Sequence, residues 1–342
     1  MSKDDRTILT RRLLIGGATA GLILPYGMAA RAQAPAQQAP AAGRGGRGGG
    51  PPANGRGPIK VLLMAGDHGF DYNQLTAMFN LFGEDISWNF VTMPAAEAFF
   101  NPEMAAPYDV FVLYDRAGRS PRSAADGPVN VPGARGPRNV DFRQPSPALK
   151  RGIKAMLQQG KGMVLFHHAL ASWVHTWPEY VEMMGGACDW SNPITVRGVQ
   201  YPFSGFRGGV TQRISVVEAE KNHPIVRGLE GGFTITDETY LCPMFPETFH
   251  PLLTTDFVAE PQNFPAQRQT NPDWNPPKPP NYAGWYKAVE RSPLVYLQNG
   301  HDNVAWSNPA FQTLMLNAIK WAGSQQALTW ARANPKVIFS NS

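Results

Sequence analysis

The chain of 342 residues is long enough for one large or two modest domains, and its 43% hydrophobic content suffices for a packed core. Its formal net charge of +5 arises at the N-terminus, because residues 1–58 carry eight Lys or Arg against two Asp, which leaves 23 basic and 24 acidic residues in 59–342. A nearly neutral folded part has no overall field to attract a polyanion, so a nucleic-acid partner is disfavoured.

Residues 1–34 have the order of a secretory signal. The pair Arg11-Arg12 precedes an apolar run at residues 13–28, and small residues follow at 29–34. This order predicts a twin-arginine signal peptide and a periplasmic or secreted protein. The run is short and interrupted by Pro25, so no stable membrane span is expected after cleavage.

Residues 35–58 are dominated by Gly, Pro and Arg. Such a segment cannot bury apolar area and is predicted to be a disordered linker.

Apolar runs alternate with amphipathic segments through the predicted domain, residues 59–325, which a C-terminal tail at 326–342 follows. Strands are predicted at residues 59–65, 86–92, 108–114, 162–167, 213–218, 233–236, 285–289 and 294–298. Helices are predicted at residues 72–82, 147–159 and 308–322. The alternation predicts an α/β fold in which helices cover both faces of a mostly parallel sheet.

Two long Gly- and Pro-rich stretches, residues 115–145 and 260–282, interrupt this order. Stretches of this length in a compact domain are usually functional or disordered, so both a lid and a disordered insertion stay open for each.

Histidine residues follow three of the predicted strands. His68 comes after the first strand, His167 and His168 after the fourth, and His301 after the last. Open α/β sheets bind ligands outside the carboxyl ends of their strands. We therefore expect the strand ends at residues 65, 166 and 298 to lie side by side and these imidazoles to converge on one cleft.

Asp237 and Glu238 close another β-patterned run, at residues 233–236. Successive strand side chains point to opposite faces, so at most one of the two carboxylates is expected to face the cleft. A carboxylate beside an imidazole can orient it or share proton transfer, whereas a solvated turn pair is the alternative.

Two further residue pairs leave alternatives open. Trp173 and Trp177 are four residues apart, which suits either the core face of a helix or a platform for sugar stacking. Cys188 and Cys242 are the only cysteines and lie outside any Cys-x-x-Cys pattern, so a structural zinc site is disfavoured. They either form one disulfide after export or are two small buried side chains.

Three blocks of the sequence resemble signatures of the ThuA-like (trehalose-utilisation) family. They are Gly-Lys-Gly-x-Val-x-x-His-His-Ala at residues 160–169 with Tyr180 and Gly185-Gly186, His-Pro-Ile-x-x-Gly-Leu at 223–229 with Asp237, Glu238 and Tyr240, and Asn-Gly-His at 299–301 with Trp306 and the final helix. The matches span roughly residues 59–323. The resemblance implies the flavodoxin-like, class I glutamine amidotransferase-like fold, a doubly wound sheet.

The chain departs from these patterns at several places, including residues 289–293, which stand where the family often has a Gly-Lys-Gly-Arg turn. A histidine, His167 or His168, stands where an amidotransferase carries its nucleophilic cysteine, which excludes amidotransferase chemistry through a thiolate. Ala187-Cys188 follows the two glycines where the family often has another histidine.

The resemblance implies an enzyme acting on a carbohydrate or keto-sugar derivative, as a hydrolase, lyase or isomerase, and a non-catalytic sugar-binding module is the alternative. The candidate catalytic residues are His167, His168, Glu238 and His301. The candidate residues for binding the carbohydrate are Asp67, His68, Trp173, Trp177, Asp237 and Tyr240. Imidazole and carboxylate groups suit either acid–base catalysis alone or a divalent metal cofactor, and the sequence does not choose between them.

Replacing Arg11 and Arg12 together with Lys is expected to retain the protein in the cytoplasm, because the export route reads the paired arginines. Cell fractionation of the full-length protein measures this, with Arg6→Lys as the control that leaves export unchanged. Export of the double variant at the wild-type level would contradict the twin-arginine assignment.

Overall fold

The structure, a computed structural model, describes residues 53–339, so the predicted signal peptide and most of the predicted linker lie outside it. The strands are β1 (Ile59–Gly66), β2 (Ile86–Thr92), β3 (Val110–Asp115), β4 (Arg119–Pro121), β5 (Val140–Phe142), β6 (Gly162–Phe166), β7 (Ile194–Val196), β8 (Val199–Tyr201), β9 (Gly205–Val216), β10 (Phe233–Leu241), β11 (His250–Thr255), β12 (Tyr282–Val289) and β13 (Ser292–Leu297). The α-helices are α1 (Tyr72–Asn80), α2 (Pro102–Ala105), α3 (Pro147–Gln159), α4 (Pro178–Met184), α5 (Pro265–Thr270), α6 (Asn303–Trp306), α7 (Pro309–Ala322) and α8 (Gln325–Ala333). No helix in this range has the length and hydropathy needed to cross a bilayer.

Five parallel strands form the predicted doubly wound core, in the order β2-β1-β3-β6-β13. Their apolar runs are buried on both faces: Val61 and Leu63 of β1 pack on the side of α1 and α7, and Leu62 and Met64 on the side of α3. The fold class is therefore the predicted one. One detail differs, because β3 lies between β1 and β6, so only the ends of β6 and β13 are direct neighbours.

Four antiparallel strands extend the sheet beyond β13, in the order β12, β11, β9 and β10. The outermost strand, β10, nevertheless contacts the chain that leaves β13: Gln298 Nε2 donates to Thr239 Oγ1 at 3.1 Å and the Gly300 amide donates to Asp237 Oδ2 at 2.7 Å. The antiparallel half of the sheet therefore curls over the carboxyl end of β13 and brings the carboxylates of β10 to it.

Both Gly- and Pro-rich stretches have local structure. Residues 115–145 contain the antiparallel pair β4–β5. Residues 260–282 contain α5, and Trp274 there is buried with its indole N–H donating to the Phe203 carbonyl at 2.7 Å. Neither stretch is a disordered insertion in the structure.

The domain is longer at both ends than the predicted 59–325. Asn54, assigned to the linker, exchanges two backbone hydrogen bonds of 2.8 Å with Trp88. The predicted tail contains most of α8 and the buried Phe339, whose amide donates to Glu290 Oε1 at 3.1 Å. The sequence does not predict these contacts, because the partners of each segment are distant in the chain.

Gly152 on α3 tests how closely the helix packs on the preceding segment. A Cβ at this position would lie 1.9 Å from the Phe100 carbonyl oxygen. Gly152→Ala should therefore lower the free energy of unfolding by about 1–3 kcal/mol through overpacking, although alanine normally favours a helix interior by about 1 kcal/mol. Urea unfolding measures the change.

Gly231→Ala is the control, because a Cβ there meets nothing within 4 Å and the backbone needs no left-handed conformation. Equal stability of Gly152→Ala and wild type would contradict the close contact with Phe100.

Candidate active site

His167 begins the chain that leaves β6 and is fully buried. Its φ of 51° lies in the left-handed region, which residues other than glycine rarely adopt. Its Nδ1 lies 2.9 Å from the carbonyl oxygen of Gln298. Because a carbonyl only accepts hydrogen bonds, Nδ1 carries the proton of the neutral ring, and Nε2 faces the interior of the site.

Three atoms that can each bind a proton or a metal ion lie close together at this point. His167 Nε2 lies 3.0 Å from His301 Nδ1 and 3.2 Å from Glu238 Oε2, and the last two atoms are 3.4 Å apart. Tyr240 Oη lies 2.6 Å from His167 Nε2. Burial raises the pKa of Tyr240 well above its ordinary value, so its phenol keeps a proton to donate. This single hydroxyl proton can bind one of the three atoms, and a proton or a metal ion shared among the others would link them.

His168 completes what we call the histidine–glutamate cluster: His167, His168, Glu238 and His301, each offering one ligand atom within 4.8 Å of the others. Burial, followed by the neighbouring histidines, lowers the pKa of His168 well below its ordinary value, so its imidazole is neutral. Its Nδ1 is buried without a hydrogen-bond partner among residues 53–339. An orphaned buried nitrogen of this kind is costly unless a further group binds it.

Glu238 is the carboxylate of the cluster. Burial opposes its charged form, but the hydrogen bond with His167 and the nearby imidazoles of His167 and His301 outweigh it and hold the pKa of Glu238 below its ordinary value. Two glycines of β9, Gly208 and Gly209, stand opposite Glu238 at a register shift. Such bulges commonly re-aim side chains next to active sites.

Asp237 supports the cluster through the backbone. Its Oδ1 accepts from the His301 amide at 3.1 Å, and its Oδ2 accepts from the Gly300 amide at 2.7 Å. Tyr114 Oη donates to the His301 carbonyl at 2.8 Å from the other side. Because successive strand side chains alternate, Glu238 points to the imidazoles and Asp237 points to the turn that carries His301. Both carboxylates therefore contribute to the same site.

His68 lines the same cleft, with its ring centroid 4.2 Å from that of His168. Burial lowers the pKa of His68 to about 4, so the imidazole is neutral at pH 7. Asp67 precedes it with a φ of 58°, and its Oδ2 is buried without a hydrogen-bond partner among the described residues. Burial raises the pKa of Asp67 to about 6, with the Arg143 charge acting against it.

Trp173 and Trp177 are core residues, so the interpretation of sugar stacking is wrong for both. Their side chains are 3% and 1% exposed, and their rings pack edge to face with centroids 5.8 Å apart. They do not share a helix either, because Trp177 is the N-cap of α4 and Trp173 lies in the turn before it. Neither indole face can receive a sugar ring.

Arg116 is a functional candidate that the sequence analysis missed. Its guanidinium carbon lies 4.8 Å from the centre of the Trp190 ring, which meets the His168 ring edge to face. Its nearest carboxylate, Asp189, is 3.9 Å away and is already bound by Arg119 at 2.8 Å and His175 at 2.6 Å.

Burial lowers the pKa of Arg116 to about 10, so the side chain is still a cation at pH 7. It is therefore an incompletely neutralised charge beside His168. The signal that could have found it is its position directly after β3, as His167 follows β6.

The cluster fits a divalent metal ion. Four ligands at 2.0–2.1 Å from zinc in a tetrahedron are about 3.3 Å apart. The separations among His167, Glu238 and His301 are 3.0, 3.2 and 3.4 Å, and the ligand atom of His168 lies within 4.8 Å of these three. The contact of His167 Nδ1 with the Gln298 carbonyl is the usual second contact of a ligating histidine. The His301 side chain is 39% exposed and the Glu238 side chain 8%, so the cluster opens toward solvent on the His301 side.

Comparison with a solved structure supports the fold. A ThuA-like protein from Parabacteroides merdae superposes with a TM-score of 0.54 and 18% identity, over 78% of this chain and 90% of that chain. A ThuA-like protein from Bacteroides uniformis gives a TM-score of 0.48 and 16% identity, over 80% and 95%. The sheet is the flavodoxin-like sheet of the class I glutamine amidotransferase-like fold.

No curated protein matches the sequence. The family model described as "ThuA: Trehalose utilisation" matches residues 137–322, which include the whole histidine–glutamate cluster and more than half of the chain. The chain therefore belongs to the ThuA (trehalose utilisation) family.

Proposed function

We propose that this ThuA-family protein is an exported enzyme that transfers protons on a carbonyl-bearing sugar derivative, such as a keto-sugar, with a divalent metal ion held by the histidine–glutamate cluster. The observation that carries the proposal is the approach of His167 Nε2, His301 Nδ1 and Glu238 Oε2 to within 3.4 Å of one another. Lone pairs at these distances repel unless a proton or a metal ion lies between them, and the four ligand atoms of the cluster, all within 4.8 Å of one another, favour the metal ion.

The ion, when bound, would supply Lewis-acid polarisation of the substrate carbonyl. The protein's own contribution begins with orientation: the Gln298 carbonyl fixes the tautomer of His167, and Asp237 fixes the turn that presents His301. Rigid placement of this kind keeps the reacting groups in position before the substrate arrives.

Glu238 is the proton acceptor in this proposal. Its low pKa keeps it a carboxylate at pH 7, and Oε2 is the atom that faces His167 and His301. We propose that Oε1 accepts the proton from the carbon next to the substrate carbonyl, because the hydrogen on that carbon is the acidic one in a keto-sugar.

Arg116 stabilises the negative charge that develops on the carbonyl oxygen as that proton leaves. It is a cation beside His168 with Asp189 only at 3.9 Å. A charge that is fixed before the reaction stabilises a developing oxyanion without further reorganisation.

A non-catalytic sugar-binding module is the weaker reading of this cleft. Binding modules present aromatic faces to sugars, but Trp173 and Trp177 are buried. Several titratable groups with shifted pKa values converge instead, which is typical of active sites. The family's link to trehalose utilisation supports a carbohydrate substrate, and the Arg11-Arg12 pair supports export.

The metal site is tested by Glu238→Gln and His301→Ala in the purified full-length protein. Each removes one of four ligands, so the affinity for Zn²⁺ should fall at least about 100-fold, and turnover of keto-glycosides should fall with it. His301 is a suitable position for alanine, because its side chain is 39% exposed and its loss leaves little buried space. Equilibrium dialysis against Zn²⁺ and a keto-glycoside assay measure the two effects.

His250→Ala is the matched control, since His250 is an exposed histidine that stacks on Tyr286 outside the cluster. Wild-type protein that binds Zn²⁺ no better than Glu238→Gln would contradict the metal site. Retained turnover in Glu238→Gln would contradict its role as proton acceptor.

Arg116→Gln separates charge stabilisation from metal binding. Loss of the guanidinium should lower kcat/KM on a keto-glycoside by about 10²–10³-fold, while the Zn²⁺ content and the unfolding midpoint stay at wild-type values. Arg207→Gln, which removes an exposed guanidinium near Phe257, is the control. An unchanged kcat/KM in Arg116→Gln would exclude the residue from the reaction.

A further inference from the structure

Cys188 and Cys242 lie on two neighbouring segments that pair in antiparallel fashion. Gly186 and Met244 form an antiparallel bridge. The hydrogen bonds on either side of it run from the Ala187 amide to the Pro243 carbonyl at 3.1 Å and from the Phe245 amide to the Gly185 carbonyl at 2.9 Å.

This register places Cys188 directly opposite Cys242, one pair beyond Ala187 and Pro243. Because pairs in an antiparallel ladder alternate, the two cysteines form a non-hydrogen-bonded pair like Gly186 and Met244. Opposite Cα atoms in such a pair are about 4.5 Å apart, within the range of about 4.4–6.8 Å that disulfides span.

The side chains also point toward each other. The Cys188 thiol is fully buried and Cys242 is 1% exposed, and both belong to the same apolar cluster. Burial, and then the hydrogen bond with the Cys242 thiol, raises the pKa of Cys188 well above its ordinary value. Both thiols are free in the structure, the Cys242 thiol is a hydrogen-bond partner of Cys188, and the chain has no third cysteine to compete.

We propose that Cys188 and Cys242 form an intramolecular disulfide when the protein folds in an oxidising compartment. The oxidant is a small disulfide such as oxidised glutathione: it takes two electrons and two protons from the two thiols and becomes two thiols, and one S–S bond forms between residues 188 and 242. Both sulfurs are buried in the finished fold, so the bond closes during folding and is afterwards shielded from reductants.

The bond would lie directly behind the site. Cys242 is two residues from Tyr240, which contacts His167, and Cys188 is two residues from Trp190, which contacts His168. The Tyr240 and Trp190 rings are themselves 4.9 Å apart. A disulfide here would hold Tyr240 and Trp190, which contact the cluster, at a fixed separation. This inference is independent of the reaction proposed above.

The test refolds the full-length protein in glutathione buffers of graded redox potential, followed by acid quench, denaturation and alkylation with a maleimide. Oxidised wild type should take up no maleimide until it is reduced, and proteolysis should yield one linked pair of peptides containing residues 188 and 242. Against the reduced form, the unfolding equilibrium constant should fall by about a thousandfold, as expected for a closed loop of this length.

Cys188→Ala/Cys242→Ala is the matched variant, and its unfolding should not respond to the oxidant. The wild-type redox titration needs no substitution, so the proposal is testable even if that variant folds poorly. Two maleimide-reactive thiols in protein refolded under the most oxidising buffer would overturn the proposal. A bond that joins two chains, or one that lowers stability, would overturn it equally.

Discussion

The contact between His167 and the Gln298 carbonyl is the interaction on which the rest of the site depends. It joins the ends of the adjacent parallel strands β6 and β13, and it decides which nitrogen of the buried imidazole carries the proton. In the neutral ring, Nε2 then presents its lone pair toward Glu238 and His301. The left-handed backbone at His167 is the strain that the surrounding contacts must offset to hold the ring there.

The parallel half of the fold was predictable because its strands are continuous apolar runs buried on both faces, each followed by a distinct polar residue. The convergence of His68, His168 and His301 follows from that pattern alone. The pattern at residues 233–236 fell short of β10, which continues through Asp237 and Glu238 because the strand passes from the surface into the core. The curl that brings this strand to β13 depends on tertiary contacts between distant segments, and no local pattern encodes it.

Two kinds of residue were misjudged for opposite reasons. The spacing of Trp173 and Trp177 is compatible with either a helix face or a ligand platform, and their burial shows that both belong to the core. Arg116 was overlooked within a stretch whose Gly and Pro content suggested an insertion. Its importance rests on a charge balance that only the structure shows: Asp189 is shared among Arg119, His175 and backbone amides, which leaves Arg116 without a close counterion.

The curl of the sheet has a consequence for cooperativity. The edge strand β10 is joined to the chain beyond β13 by Asp237, Glu238 and Thr239, and two of these contacts are hydrogen bonds to backbone amides. A cation bound by Glu238 and the three imidazoles would add a further tie between the edge and the centre of the sheet. Occupancy of the site would then slow amide hydrogen exchange along the whole of β10 and not only at Glu238, because the strand could no longer open on its own.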